Sequence, residues 1–157
     1  MPTVRTGDVE THYVRRGDGP PVVFVHGMVM TADMWAPQID ALSDAYTTIA
    51  YDVRGHGQTG GSGEPRYSAS LFAADLEALM DALDIERAVV CGLSMGGVVA
   101  QAFAAAHPER VVGLVLADTF ATGGSLTERA ALANLRVLAR LDRIVGYRTL
   151  NRWQLRV

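Results

Sequence analysis

The chain has 157 residues, 49% hydrophobic and 20% charged, which suits one globular domain with a real core and excludes a disordered or fibrous chain. A formal net charge of −3 supplies no overall basic field, so no nucleic-acid partner is expected. The single cysteine, Cys91, cannot close an intrachain disulfide. No apolar run of about 18 residues is present, and the N-terminus MPTVRTGDVETHYVRRG lacks a signal-peptide stretch, so a cytoplasmic protein without a membrane span is expected.

In chain order, the alternation VETHYVR (9–15) predicts a strand in a first hairpin, followed by the turn RGDGPP. PVVFVHG (21–27) reads as a buried parallel strand, and Thr31 as the cap of a helix carrying Trp35, Ile39 and Leu42 on one face. TTIAYDV (47–53) is the next strand, closed by the loop RGHGQTGGSGEP. Ser68 or Ser70 opens a helix in which Leu71, Ala74, Leu76, Leu79, Met80 and Leu83 recur at helical spacing. AVVCGLS (88–94) is a buried strand, GGVVAQAFAAAH a helix stopped by Pro108, and VVGLVLADTF (111–120) a further strand. Strands alternating with helices imply βαβ units, hence an α/β fold with a mostly parallel sheet and helices on both faces.

The segment after this differs. From Thr127 onward it carries half of the arginines against only Glu128 and Asp142, with Leu132, Leu135, Leu138 and Leu141 able to line one helical face. A solvated arginine face over a hydrophobic stripe accounts for it, and no membrane partner is inferred.

CGLSMGGVVAQ (91–101) holds the chemistry. Ser94 lies in Gly-x-Ser-x-Gly between a strand and a helix, the context of a nucleophile elbow. Glycines are expected at 92 and 96 because side chains there would strike the neighbouring strand and helix. A hydroxyl at a helix N-terminus also sits where developing negative charge is favoured, so the Met95 N–H is a candidate oxyanion donor. The second donor must come from the loop after the 21–27 strand, where the Met28 N–H follows His26-Gly27. Met30, Trp35 and Phe120, placed after strands, are candidate pocket residues. Cys91 reads as a small buried hydrophobe. No metal-ligand spacing and no dinucleotide glycine motif is present, so no cofactor and no metal is expected.

HGM (26–28), DVRGHG (52–57), GLSMGG (92–97) and AHPERVVGLVLAD (106–118) together resemble, in order and spacing, the α/β-hydrolase fold superfamily. Among its branches the chain is similar to small esterases and lactonases, including 3-oxoadipate enol-lactonases. The similarity runs from about Val9 to Thr119, with Thr59 standing where the family often has serine. The resemblance implies a serine hydrolase acting on small carboxylic esters or lactones through an acyl-enzyme on Ser94. It implies that Asp52 and Arg54 shape their loop. Asp118 stands where some branches keep the triad acid and others do not, so an acid and a capping or loop carboxylate both remain open.

The family's base is a histidine after the last strand of an eight-stranded sheet. Here the four histidines are His12, His26, His56 and His107. His12 belongs to the first hairpin, His26 is expected to bond loop backbone, His107 sits at a surface helix end, and His56 lies on the correct sheet edge without being the family's base. The sequence is thus expected to supply six strands and then leave the fold short. Residues 1–122 would be the N-terminal part of the core, and 123–157 the start of a helical cap or an aberrant tail. An open sheet edge would then be covered by a missing C-terminal segment or by a second copy in a homo-oligomer. Three readings follow: the N-terminal part of an ordinary hydrolase, a degenerate member acting as a binding or dimerising module, or an active short form with its base from elsewhere. The same elbow also serves cofactor-free perhydrolases and carbon–carbon bond hydrolases.

Overall fold

The computed structural model describes residues 2–63 and 67–121. The elements are β1 (Thr3–Thr6), β2 (Val9–Arg16), β3 (Pro21–Val25), a 3-10 turn (Ala32–Trp35), α1 (Ala36–Leu42), β4 (Thr47–Tyr51), α2 (Ala69–Ala82), β5 (Ala88–Leu93), α3 (Met95–Ala106), a second 3-10 turn (Pro108–Arg110) and β6 (Val111–Ala117). They form a six-stranded sheet in the order β1-β2-β4-β3-β5-β6. β1 and β2 are antiparallel, β2 joins β4 antiparallel, and β4, β3, β5 and β6 run parallel.

The β-branched runs of β3 and β4 are buried on both faces, as a central parallel strand must be. On one face α2 and α3 pack Leu76, Leu79, Met80, Val99 and Phe103 against Val23, Val25, Ile49 and Val90. On the other, the first 3-10 turn and α1 place Trp35 and Ile39 on Val22, Phe24, Ala50 and Cys91. Each large side chain buried this way contributes roughly 1.5–3 kcal/mol before chain entropy is counted. α2 begins where Ser68 accepts the Leu71 N–H at 3.1 Å, which decides between the two serines expected to open it.

The strands stop earlier than their apolar runs suggested: β3 at Val25, β4 at Tyr51, β5 at Leu93 and β6 at Ala117. The residues after each stop form the loops at one sheet edge. Thr31 occupies the N-cap position of the first 3-10 turn, but its side chain makes no capping bond. Asp52 Oδ1, from the loop after β4, accepts the Ala32 N–H instead at 2.8 Å. β1 is a short polar strand that local alternation does not single out; it exists because β2 offers it a partner.

The chain runs from β3 outward to β4 and then back across β3 to β5, with α1 on one face and α2 on the other. The order therefore reverses between β3 and β5, and a crevice outside their carboxyl ends is where open α/β sheets bind ligands. Among the described residues β6 is paired on one side only, by β5, and Val112, Val115 and Leu116 on it are exposed. No helix among the described residues is long and apolar enough to cross a membrane. The boundary expected after residue 122, the segment 123–157 and its leucine stripe lie outside the described residues.

Candidate active site

Ser94 sits at the reversal point, between the end of β5 and the first residue of α3. Its backbone has φ 50° and ψ −113°, a left-handed conformation that a residue with a Cβ adopts only when its surroundings impose it. Those surroundings are specific. A Cβ on Gly92 would strike the backbone of Gly96 at the start of α3, and one on Gly96 would strike the carbonyls of Val25 and His26 at the end of β3. The two glycines let strand, turn and helix close to van der Waals distance, as the sequence predicted.

The loop after β6 completes the clamp. Ser94 N–H donates to the Ala117 carbonyl at 3.0 Å, and Thr119 Oγ1 donates to the Ser94 carbonyl at 2.7 Å. Gln101 Nε2 bridges the Gly97 and Phe120 carbonyls, each at 3.1 Å. Thr119 and Gln101 were not anticipated, since nothing in local spacing reveals bonds between residues 25 and 19 apart. Asp118, itself at φ 42°, follows the residue that holds the Ser94 N–H; its side chain is exposed and makes no hydrogen bond among the described residues. Ser94, Asp118 and Phe120 are thus brought to one corner.

The other side of the crevice is the turn Gly27–Met30. Gly27 lies against Leu93, the residue before Ser94: a Cβ on it would stand 3.6 Å from the Leu93 carbonyl oxygen and 3.2 Å from Met30 Sδ. Gly27 O accepts the Met30 N–H at 3.3 Å, and Val29 between them has φ 57°. A β-branched residue in that region costs on the order of 1–3 kcal/mol, so this turn is held rather than relaxed. Met28 and Met30 are half-buried in it. Met95 is the first residue of α3, where a backbone N–H has no intrahelical acceptor. Trp35 lies elsewhere: 6% exposed, it packs on Phe24 with ring centroids 5.0 Å apart, in the core beneath α1.

The loop after β4 is an ionic and hydrogen-bonded frame. Asp52, 2% exposed, accepts from Ala32 N–H, from Gln58 N–H at 2.8 Å, and lies 3.0 Å from His12 Nδ1. Arg54, 3% exposed, makes a two-point contact with Asp75 of α2 (2.8 and 2.5 Å) and a third bond to Asp8 at 2.6 Å. Hydrogen bonding to Asp75 raises the Arg54 pKa further, and the Arg54 bond holds Asp8 below the usual carboxylate range. Asp52 and Arg54 hold the loop shape, as expected.

The histidines divide by position. His12 is buried against Asp52. His26 is fully buried, and burial pushes its pKa down to about 4. His107 closes the far end of α3, 3.4 Å from Glu77 Oε1 and stacked on Phe103. Twelve helical residues separate it from Ser94, or about 18 Å at 1.5 Å per residue. His56 lies tilted against His26, with ring centroids 5.2 Å apart and planes inclined by 60°, and donates Nδ1–H to the Arg54 carbonyl at 3.1 Å. Cys91 is buried in the core beneath α1, and burial raises its thiol pKa. Among the described residues no group of three or more His, Cys, Asp or Glu could hold a metal ion. A surface depression of about 900 Å³ bounded by Asp81, Arg87 and Arg110 lies where β5 and β6 begin, the opposite edge from Ser94.

The family model described as alpha/beta hydrolase fold matches residues 20–152, which include this strand–serine–helix elbow. The chain belongs to the α/β-hydrolase fold family. This α/β-hydrolase chain is 36% identical to 3-oxoadipate enol-lactonase 2 of Acinetobacter baylyi, over 85% of its own length and 50% of that protein. It is 44% identical to a non-heme chloroperoxidase of Streptomyces lividans, over 74% of its length and 44% of the other. The crystal structure of the enol-lactonase from Burkholderia xenovorans LB400 superposes with a TM-score of 0.72 at 37% identity, covering 75% of this chain and 46% of that one. The α/β-hydrolase chain spans about half the length of the curated relatives it matches.

Proposed function

We propose that Ser94 is the nucleophile of a hydrolase that cleaves small carboxylic esters or lactones. The observation that carries the reading is the strained Ser94 backbone, held at the N-terminus of α3 by Gly92, Gly96 and the loop after β6. In this reading Ser94 Oγ attacks the carbonyl carbon while a base takes its proton, and the N–H groups of Met28 and Met95 receive the negative oxygen. Collapse breaks the acyl–oxygen bond, the alcohol leaves with that proton, and water then attacks the acyl-enzyme and frees Ser94. Asp118 is the candidate acid, and Met30 and Phe120 the candidate pocket residues. The relatives named enol-lactonases support an ester or lactone substrate.

In this reading none of the four histidines of the sequence is the family's base. His12 and His26 are buried in bonds to other loops, His107 is at the far end of α3, and His56, half-buried and tilted against His26, holds the Arg54 carbonyl through Nδ1–H. A small soluble base can stand in for the family's histidine. With imidazole added, hydrolysis of a short aliphatic ester or a five-membered lactone, corrected for imidazole alone, is expected to rise at least about tenfold, a fraction of what a placed general base supplies. Ser94→Ala is expected to remove that rise. An equal imidazole-dependent rate in the Ser94→Ala chain would overturn the reading.

A second reading shares the site. If hydrogen peroxide rather than water takes the acyl group, the product is a peracid, a reading favoured by the 44% identity to the protein named a non-heme chloroperoxidase. Peracid formation from a carboxylate and peroxide, measured beside ester hydrolysis, separates the two.

A further inference from the structure

The Met28 amide is the part of the proposed oxyanion hole with no secondary structure of its own to orient it. We infer that His26 is its positioning residue: the imidazole holds the Gly27 carbonyl, and the Met28 N–H on the opposite side of the same peptide plane is thereby aimed into the crevice. This rests on the reading of Ser94 as nucleophile.

His26 is enclosed, with no exposed surface. The Val53 N–H, in the loop after β4, lies 2.9 Å from Nε2, and the Gly27 carbonyl oxygen lies 2.7 Å from Nδ1. A backbone N–H only donates and a carbonyl only accepts, so Nε2 carries the lone pair and Nδ1 the proton. Two backbone groups thus fix one neutral tautomer, and the depressed pKa produced by burial agrees with it. The Gly27 carbonyl then accepts twice, from His26 Nδ1–H and from Met30 N–H.

No cis peptide bond occurs among the described residues, and in a trans peptide C=O and N–H point in opposite directions. A carbonyl anchored on the β4 side leaves the Met28 N–H on the other, where it has no hydrogen-bond partner among the described residues. Gly27 itself packs beside Leu93, so the freed N–H belongs to a loop touching the elbow. The left-handed Val29 makes the anchor necessary, because a turn strained in this way relaxes by rotating the peptides on either side of it. His26 also couples this turn to the loop after β4, which Asp52 grips a second time through Ala32 N–H.

The test separates the two nitrogens in the 157-residue chain. His26→Asn keeps an N–H donor at the Nδ1 position and loses the contact to Val53. His26→Gln reaches Val53 with an acceptor and loses the donor to Gly27. The amide resonance of Met28 is expected to move in the Gln variant and to stay near its original position in the Asn variant. Labelling of Ser94 by a fluorophosphonate in the presence of imidazole is expected to be at least about tenfold slower in Gln than in Asn, at matched fractions folded, because a misaimed oxyanion donor is nearly a lost one. Equal labelling rates, or a Met28 resonance unmoved by Gln, would overturn the inference. In the unmodified chain, long-range proton–nitrogen spectra at neutral pH are expected to show the Nδ1–H tautomer of His26, and an Nε2–H form or an imidazolium would equally overturn it. If the unmodified chain takes no label, the reading of Ser94 fails, while the Met28 resonance and the His26 tautomer still decide the positioning role.

Discussion

Arg54→Ala is expected to destabilise the fold by about 3–5 kcal/mol, the cost of leaving one member of a buried ion pair without its partner. Arg54 joins the loop after β4 to α2 through two parallel bonds to Asp75, and both side chains are almost wholly enclosed. Alanine removes the cation and leaves the Asp75 carboxylate buried beside Tyr51, whose hydroxyl also has no partner among the described residues. Arg54→Lys is expected to recover only part of the loss, because an ammonium group cannot make the two-point contact. Replacing both partners at once, Arg54→Met with Asp75→Leu, is expected to cost less than Arg54→Ala alone, since no buried charge then remains. Asp8→Ala should change little, its carboxylate being mostly exposed. Urea midpoints for the four variants check the ranking. An Arg54→Ala midpoint close to that of the unmodified chain would show that the pair does not hold α2 to the sheet.

Gly96→Ala is expected to fail by the opposite route, through overpacking. The added methyl group would meet the Val25 and His26 carbonyls, which belong to a central strand and its loop and cannot turn away as a flexible side chain could. Either β3 shifts or α3 lifts from the sheet. Small-to-large changes of this kind typically cost about 1–3 kcal/mol, and a backbone collision belongs at the upper end. The displacement falls on the elbow, so Ser94 labelling is expected to decline along with stability. A urea midpoint lowered by less than about 0.5 kcal/mol equivalent, the range of ordinary surface changes, would mean that the elbow does not press on β3.

What the sequence disclosed depends on how far apart the cooperating residues are. The elbow was legible because glycine at 92, serine at 94 and glycine at 96 form a compact local pattern, and the structure contains the collisions that pattern avoids, one within the elbow at Gly92 and one against the end of β3 at Gly96. The parallel sheet was legible because β3, β4 and β5 are short β-branched or apolar runs separated by amphipathic helices. Other features depend on partners 20 to 47 positions away. The Ala32 N–H is served by Asp52 rather than by Thr31 beside it, His12 N–H finds Thr59 Oγ1, and Thr119 reaches back to Ser94. Trp35 shows the reverse limit. Its position after a strand suited a pocket wall, but the face shared with Ile39 drew it under α1. The tautomer of His26 became readable only when both of its backbone partners were in place.

The central claim is that Ser94 is held ready as a nucleophile beside two N–H donors. Intact mass of the folded chain after exposure to a fluorophosphonate with imidazole present tests it most directly, with Ser94→Ala treated in parallel. One adduct per chain is expected, absent from the Ser94→Ala protein. A folded chain that takes no adduct, or an adduct that persists when Ser94 is alanine, would contradict it.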